Sequence, residues 1–109
     1  MANDVTKDQN RLLLEIDRIR KNLNKEIIDP MIPKLKIEDL TPVIKLVAQI
    51  RGAYLKELFA ISTTVSDGIP AQDQIQRLRG FRIAYEEFSA GAQAMETAIE
   101  RGYLEVEEK

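Results

Sequence analysis

The chain has 109 residues, 44% of them hydrophobic and 31% charged, and carries a net charge of −2. This length supports a single domain, 1–109, burying roughly 60–70% of its unfolded surface, and the composition is too apolar for intrinsic disorder. Cysteine and histidine are both absent, which removes disulfides, thiolate catalysis, cysteine-bound zinc, the usual general base and the usual zinc ligand.

Charge is unevenly spread. Residues 1–56 hold 11 Lys/Arg against 8 Asp/Glu, or +3, and residues 57–109 hold 5 against 10, or −5. Residues 1–5 are expected to fray. The first helix is expected at about 7–28, with Thr6 or Asp4 as its cap. Its apolar stripe is Leu12, Ile16, Ile19, Leu23 and Ile27, stepping by three and four. Leu13 and Leu14 lie off that stripe and widen the apolar face. Asp17 and Lys21 are spaced for an i,i+4 ion pair. Arg11, Arg18 and Lys25, seven apart, form a basic line that Asp8, Glu15 and Asp17 are placed to neutralise.

Asp29-Pro30-Met31-Ile32-Pro33 reads as the break after this helix, because each proline denies its predecessor the helical region. Thr41-Pro42 pairs a hydroxyl cap with proline at the first helical position, so a second helix is expected at about 41–63, with an extra turn over 37–40. One seam of that helix is Leu40, Val43, Val47, Ile50, Tyr54, Leu58 and Ile61. A second stripe, Ile44, Ala48, Gly52, Leu55 and Phe59, lies about 100° round the helix. A helix apolar over most of its circumference is expected at the centre of a bundle or against another subunit.

Val65-Ser66-Asp67-Gly68 carries turn chemistry, and Pro70 precedes a third helix expected at about 71–101, roughly 45 Å long. Its seam is Leu78, Phe81, Tyr85, Phe88, Ala92, Met95, Ile99 and Gly102. Asp73 is placed to pair with Arg77, and Arg82 with Glu86. Gly102 reads as the stop, since glycine takes the left-handed conformation at low cost. Tyr103–Val106 is expected to fold back, ahead of a frayed polar tail, Glu107-Glu108-Lys109.

The fold class expected is all-α: an antiparallel bundle of three helices in which the second and third form a hairpin. A third helix longer than the first leaves apolar seam over, which suits a second copy, so a homo-oligomer (a dimer) is expected.

The function expected is non-enzymatic protein–protein interaction, as an adaptor, assembly subunit, chaperone or inhibitor. The candidate partner-binding residues are Arg77, Arg79, Arg82, Phe81, Tyr85, Phe88 and Met95, because arginine suits carboxylate and phosphate and the aromatics supply an apolar anchor. The alternative is a nucleic-acid-associated accessory subunit using Arg77, Arg79, Arg82 and the basic line of the first helix. A third class is a small arginine-clamp enzyme for an anionic substrate, which needs Arg11, Arg18, Arg51, Arg79 and Arg82 to converge inside the bundle. The carboxylate pairs Glu38-Asp39, Glu86-Glu87 and Glu96/Glu100 carry no metal-loop spacing, and no phosphate loop or dinucleotide fingerprint occurs. No cofactor, metal or catalytic residue is expected. The polar start of the chain and the lack of a long apolar run predict no leader and no membrane span, hence a cytoplasmic setting.

Overall fold

A computed structural model describes residues 2–65 and 67–107. The expected fraying at Met1, the place of Ser66 in the turn, and the Glu108-Lys109 tail lie outside the described residues. Three helices dominate: α1 Ala2–Met31, α2 Ile37–Thr64 and α3 Gln72–Glu100. Two short strands, β1 Leu35–Lys36 and β2 Val106–Glu107, complete the order α1–β1–α2–α3–β2. The fold is all-α, with this strand pair as its only sheet among the described residues.

The helix boundaries differ from expectation for local reasons. Residues 2–6 contain no proline or glycine, and α1 runs through them. Pro30 does not end α1. It sits in the last turn, where the missing N–H removes one backbone bond, and the Ile32 N–H still reaches the Ile28 carbonyl at 2.8 Å. The stop is Pro33, which bars Ile32 from helical geometry. Likewise Pro42 does not open α2 but lies inside it, and the turn expected over 37–40 is continuous with the helix. Glu38 and Asp39 in its first turn complement the helix dipole. The third helix is therefore not longer than the first: α1 has 30 residues and α3 has 29.

The chain divides into two compact units, Met1–Ile37 with Glu96–Lys109, and Glu38–Met95. In the first, α1 meets the segment that follows α3, through Lys21 at Gly102 and Lys25 at Glu105. Gly102 has φ of 79°, its N–H bonds the Ile99 carbonyl at 3.1 Å, and the Tyr103 N–H bonds the Ala98 carbonyl at 2.7 Å. Those two bonds and the left-handed glycine make a Schellman cap. The cap turns the chain back, and β2 pairs in parallel with β1, Leu35 opposite Val106 and Lys36 opposite Glu107. The Leu35 N–H adds a bond to the Glu105 carbonyl at 3.0 Å. Ion pairs flank the strands, Lys25 to Glu105 at 3.1 Å and Lys34 to Glu107 at 3.5 Å.

In the second unit α2 packs on α3. Leu40, Val43, Val47, Ile50 and Tyr54 of α2 are half-buried, as are Leu78, Phe81, Tyr85, Ala92 and Met95 of α3. Ile61, 8% exposed, is the one buried side chain among the described residues. The expected seam of α2 is recovered except at Leu58 and that of α3 except at Phe88, both exposed. The second stripe of α2, Ile44, Ala48, Gly52, Leu55 and Phe59, is exposed rather than covered as expected of a central helix. Glu57 takes the inward position beside Leu58, with its side chain only 18% exposed.

The Tyr54 and Tyr85 rings meet with centroids 6.0 Å apart, within the range of favourable aromatic pairs. Arg51 Nε donates to the Tyr85 hydroxyl at 3.5 Å, and Gln74 Nε2 to the Thr64 hydroxyl at 3.5 Å. α2 ends in three hydroxyls, Ser62, Thr63 and Thr64, each donating to the carbonyl three residues back. At the start of α3, the Gln74 side chain accepts from the Ala71 N–H at 2.9 Å, one half of a capping box.

Candidate protein-interaction site

Five side chains of α1, Leu12, Ile16, Ile19, Leu23 and Ile27, lie along one stripe and remain between 39% and 60% exposed. Their position follows from helical periodicity: steps of three and four keep successive apolar groups on one face. Leu13 and Leu14 beside them are exposed as well. The face of α1 that the chain does cover is a different one. Lys21 stands against Gly102, where an added Cβ would lie 3.0 Å from the lysine Cε. Lys25 is held by Glu105, and Asn24 and Ile28 are half-buried. The residues at 21, 24, 25 and 28 thus share the covered side, and the apolar stripe is left facing outward.

The charges around this stripe are mostly satisfied within α1. Arg11 pairs with Asp8 at 2.8 Å, Arg18 with Glu15, and Arg20 with Asp17 at 2.8 Å. Asp17 was expected to pair with Lys21. Its carboxylate instead takes the guanidinium three residues on, while the Lys21 side chain extends toward Gly102. The basic line Arg11, Arg18, Lys25 is neutralised residue by residue, by Asp8, Glu15 and Glu105.

The residues singled out on α3 are partly engaged within the second unit. Arg77 Nε stands 3.1 Å from the Glu57 carboxylate and its guanidinium lies 5.8 Å from the Phe81 ring centroid. The expected Asp73–Arg77 pair does not form. Asp73 accepts from the Gln74 N–H at 3.0 Å, and Arg77 spans to the neighbouring helix, where Glu57 is half-buried and gains most from a cation. Arg82 pairs with Glu86 at 3.8 Å, as its spacing suggests. Tyr85 is half-buried between Tyr54 and Arg51, whose guanidinium lies 5.5 Å from the ring centroid. That hydrogen bond and positive charge hold the Tyr85 phenol below its ordinary pKa of 10.0.

Arg79 and Arg82 line one open groove with Tyr54, Ile75 and Leu78. Phe88 is exposed and Met95 half-buried. Phe81 and Tyr85 are therefore half-buried packing contacts, Arg77 is exposed but paired with Glu57, and Arg79, Arg82 and Phe88 are exposed. The five arginines required for an interior clamp, Arg11, Arg18, Arg51, Arg79 and Arg82, are all exposed.

Among the described residues, no group of three or more acidic side chains is placed to hold a metal ion. No described helix is long and apolar enough to cross a membrane. The molecule is thus of the three-helix all-α class, with an outward apolar stripe on α1. Comparison with protein-family models, curated proteins and solved structures found no match for this chain.

Proposed function

We propose that this protein is a non-enzymatic α-helical interaction module that works by pairing the apolar stripe of α1 with another protein surface, as an oligomeric adaptor or assembly subunit. The observation that carries this reading is the exposure of Leu12, Ile16, Ile19, Leu23 and Ile27 on one helix face, while the chain's own C-terminal segment occupies another. Burying such a stripe returns about 25 cal/mol per Å2 of apolar area, and contiguous exposed apolar surface of this kind marks association sites. In this reading α2 and α3 form an antiparallel hairpin that serves as the scaffold. Its support is the order of cross-helix contacts: Arg51 meets Tyr85, Glu57 meets Arg77 and Thr64 meets Gln74, so that positions on one helix rise as those on the other fall. A chain without cysteine suits a reducing compartment such as the cytoplasm.

The test is sedimentation velocity of the wild-type chain and of Ile16→Asp from low to high micromolar concentration. Association that the wild type shows and the variant loses, with helix content by circular dichroism unchanged, supports the reading. A wild-type chain that stays monomeric throughout overturns it.

A further inference from the structure

We infer that the partner of the α1 stripe is the α1 stripe of a second copy, laid parallel and in register as a two-stranded coiled coil. This rests on the interaction reading above and assigns its partner. Three independent observations lead to it.

The first is the repeat itself. Taking Ile16 and Leu23 as positions a of a heptad makes Val5, Leu12 and Ile19 positions d. The same frame puts Gln9 at a, Asp8 and Glu15 at g, and Leu13, Arg20 and Ile27 at e. Apolar a and d residues are the knobs of a coiled-coil seam, and all five apolar ones are exposed. From Val5 to Leu23 the seam covers about 27 Å at 1.5 Å per residue. Glu26 then falls at d and closes it.

The second is the side of α1 that its own chain uses. In the same frame Lys21 and Ile28 are f, Asn24 is b and Lys25 is c. These are the outer positions of a coiled coil, and they are the ones covered by or linked to the C-terminal segment, through the Gly102 cap and Glu105. The intramolecular packing therefore leaves the apolar a/d residues exposed, and the C-terminal segment reaches toward them only as far as Arg20 at e, which lines a groove with Arg101 and Tyr103.

The third is charge. In a parallel pair, a g residue of one helix faces the e residue opening the next heptad of its partner. Glu15, which pairs with Arg18 in its own helix, then also faces Arg20 of the second copy. Arg20, which pairs with Asp17, faces Glu15 by symmetry, so that two interhelical contacts extend the pairs already made within each α1. An antiparallel overlay of the same core sets Glu15 beside Glu15 of the second copy and Arg20 beside Thr6, with no ion pair. Parallel register also brings the two Gln9 side chains together at an a layer. There they can hydrogen-bond to one another, and a polar a residue of that kind specifies alignment.

The experiment exploits the absence of cysteine. Gln9→Cys places one thiol at the polar a position between Val5 and Leu12, and Lys7→Cys places one at an outer f position as control. Both full-length proteins are exposed to mild oxidant at a concentration where the wild type sediments as a dimer. The expected result is a disulfide-linked dimer as the main product of Gln9→Cys and little from Lys7→Cys. In parallel, Glu15→Gln and Arg20→Gln should each raise the dimer dissociation constant about fivefold, and the double variant should be no weaker than either single one. If the wild type associates and Ile16→Asp does not, yet Gln9→Cys fails to cross-link, the parallel pairing is wrong and the interaction reading stands. A wild-type chain that remains monomeric overturns both.

Discussion

The Lys25 ammonium lies 3.1 Å from the Glu105 carboxylate, tying the C-terminal part of α1 to the segment between α3 and β2. The contact spans 80 positions of sequence and belongs to the same unit as the β1–β2 pair. The hydrogen bond between the two groups, and then their opposite charges, raise the lysine pKa above 10.5 and lower the carboxyl pKa below 4.5. A lowered carboxyl pKa contributes stability that is present above 4.5 and lost as pH falls through the folded value. A raised lysine pKa contributes stability that is present below 10.5 and lost as pH rises through the folded value. The pair is thus intact from about pH 5 to pH 10. Carboxyl chemical shifts followed by NMR should show Glu105 titrating below the ordinary range, and Lys25→Met should return it there. A Glu105 midpoint that does not move in Lys25→Met would show that the two groups do not interact in solution.

Gly102 is required twice over, by its φ of 79° and by the Lys21 side chain that an added Cβ would meet at 3.0 Å. Replacing a left-handed glycine by an L-residue costs about 1–2 kcal/mol. Gly102→Ala is therefore expected to loosen the cap and the strand pair that depends on it. Amide exchange at Leu35, whose N–H bonds Glu105, should quicken by about tenfold, while amides in the middle of α2 are unchanged.

Ile61 is the side chain that α2 and α3 enclose most completely, and Phe59, two positions earlier, is 66% exposed. Ile61→Ala should cost about 2 kcal/mol, the low end for a core truncation because the surrounding seam is only half-buried. Phe59→Ser, although it removes more apolar surface, should change monomer stability by less than about 0.5 kcal/mol. Chemical denaturation monitored by helix content separates the two.

Arg51 and Tyr85 offer a check on how α2 meets α3. The Arg51 side chain donates to the phenol and its charge favours the phenolate, so Tyr85 should ionise at lower pH than an ordinary tyrosine. Spectrophotometric titration of a chain in which Tyr54 and Tyr103 are phenylalanine isolates Tyr85. Adding Arg51→Met should shift its midpoint upward, and an unshifted midpoint would mean that the two helices do not hold this register.

Much of the secondary structure was legible locally. Three- and four-residue spacing predicted all three helices, Gly102 predicted the cap of α3, and Asp8, Glu15 and Asp17 were expected to neutralise the arginines of α1, because each of these depends on residues within one or two turns of one another. The seam on α2 was read correctly except at one step, where Glu57 rather than Leu58 turns inward. A carboxylate displaced a leucine there because Arg77, on another helix, supplies its counter-charge. Local rules make Pro30 and Pro42 helix boundaries, yet both lie inside helices. Each denies a helix a single N–H bond, and surrounding turns without other breakers absorbed that loss.

The candidate site was less legible, and the reason is again distance along the chain. The arginines and aromatics of α3 looked available when α3 was considered by itself, yet Arg77, Phe81 and Tyr85 are engaged with one another and with Glu57, Tyr54 and Arg51 of α2. The stripe on α1 was visible as a repeat, but a repeat has the same appearance whether its partner is the same chain or another.

The sequence alone determined that this is a three-helix molecule and where most of its turns fall, since backbone hydrogen bonding, proline and glycine geometry and apolar periodicity act over a few residues. It also determined which chemistry is absent, because a side chain that is not encoded cannot act. Only the tertiary structure decided which face of each helix is used up. The two-residue strands Leu35–Lys36 and Val106–Glu107 have no periodicity to announce them, and they pair because the Schellman cap at Gly102 turns the chain back. That closure brings Glu105 to Lys25 and Gly102 to Lys21, covers the outer side of α1, and leaves Leu12, Ile16, Ile19 and Leu23 facing outward.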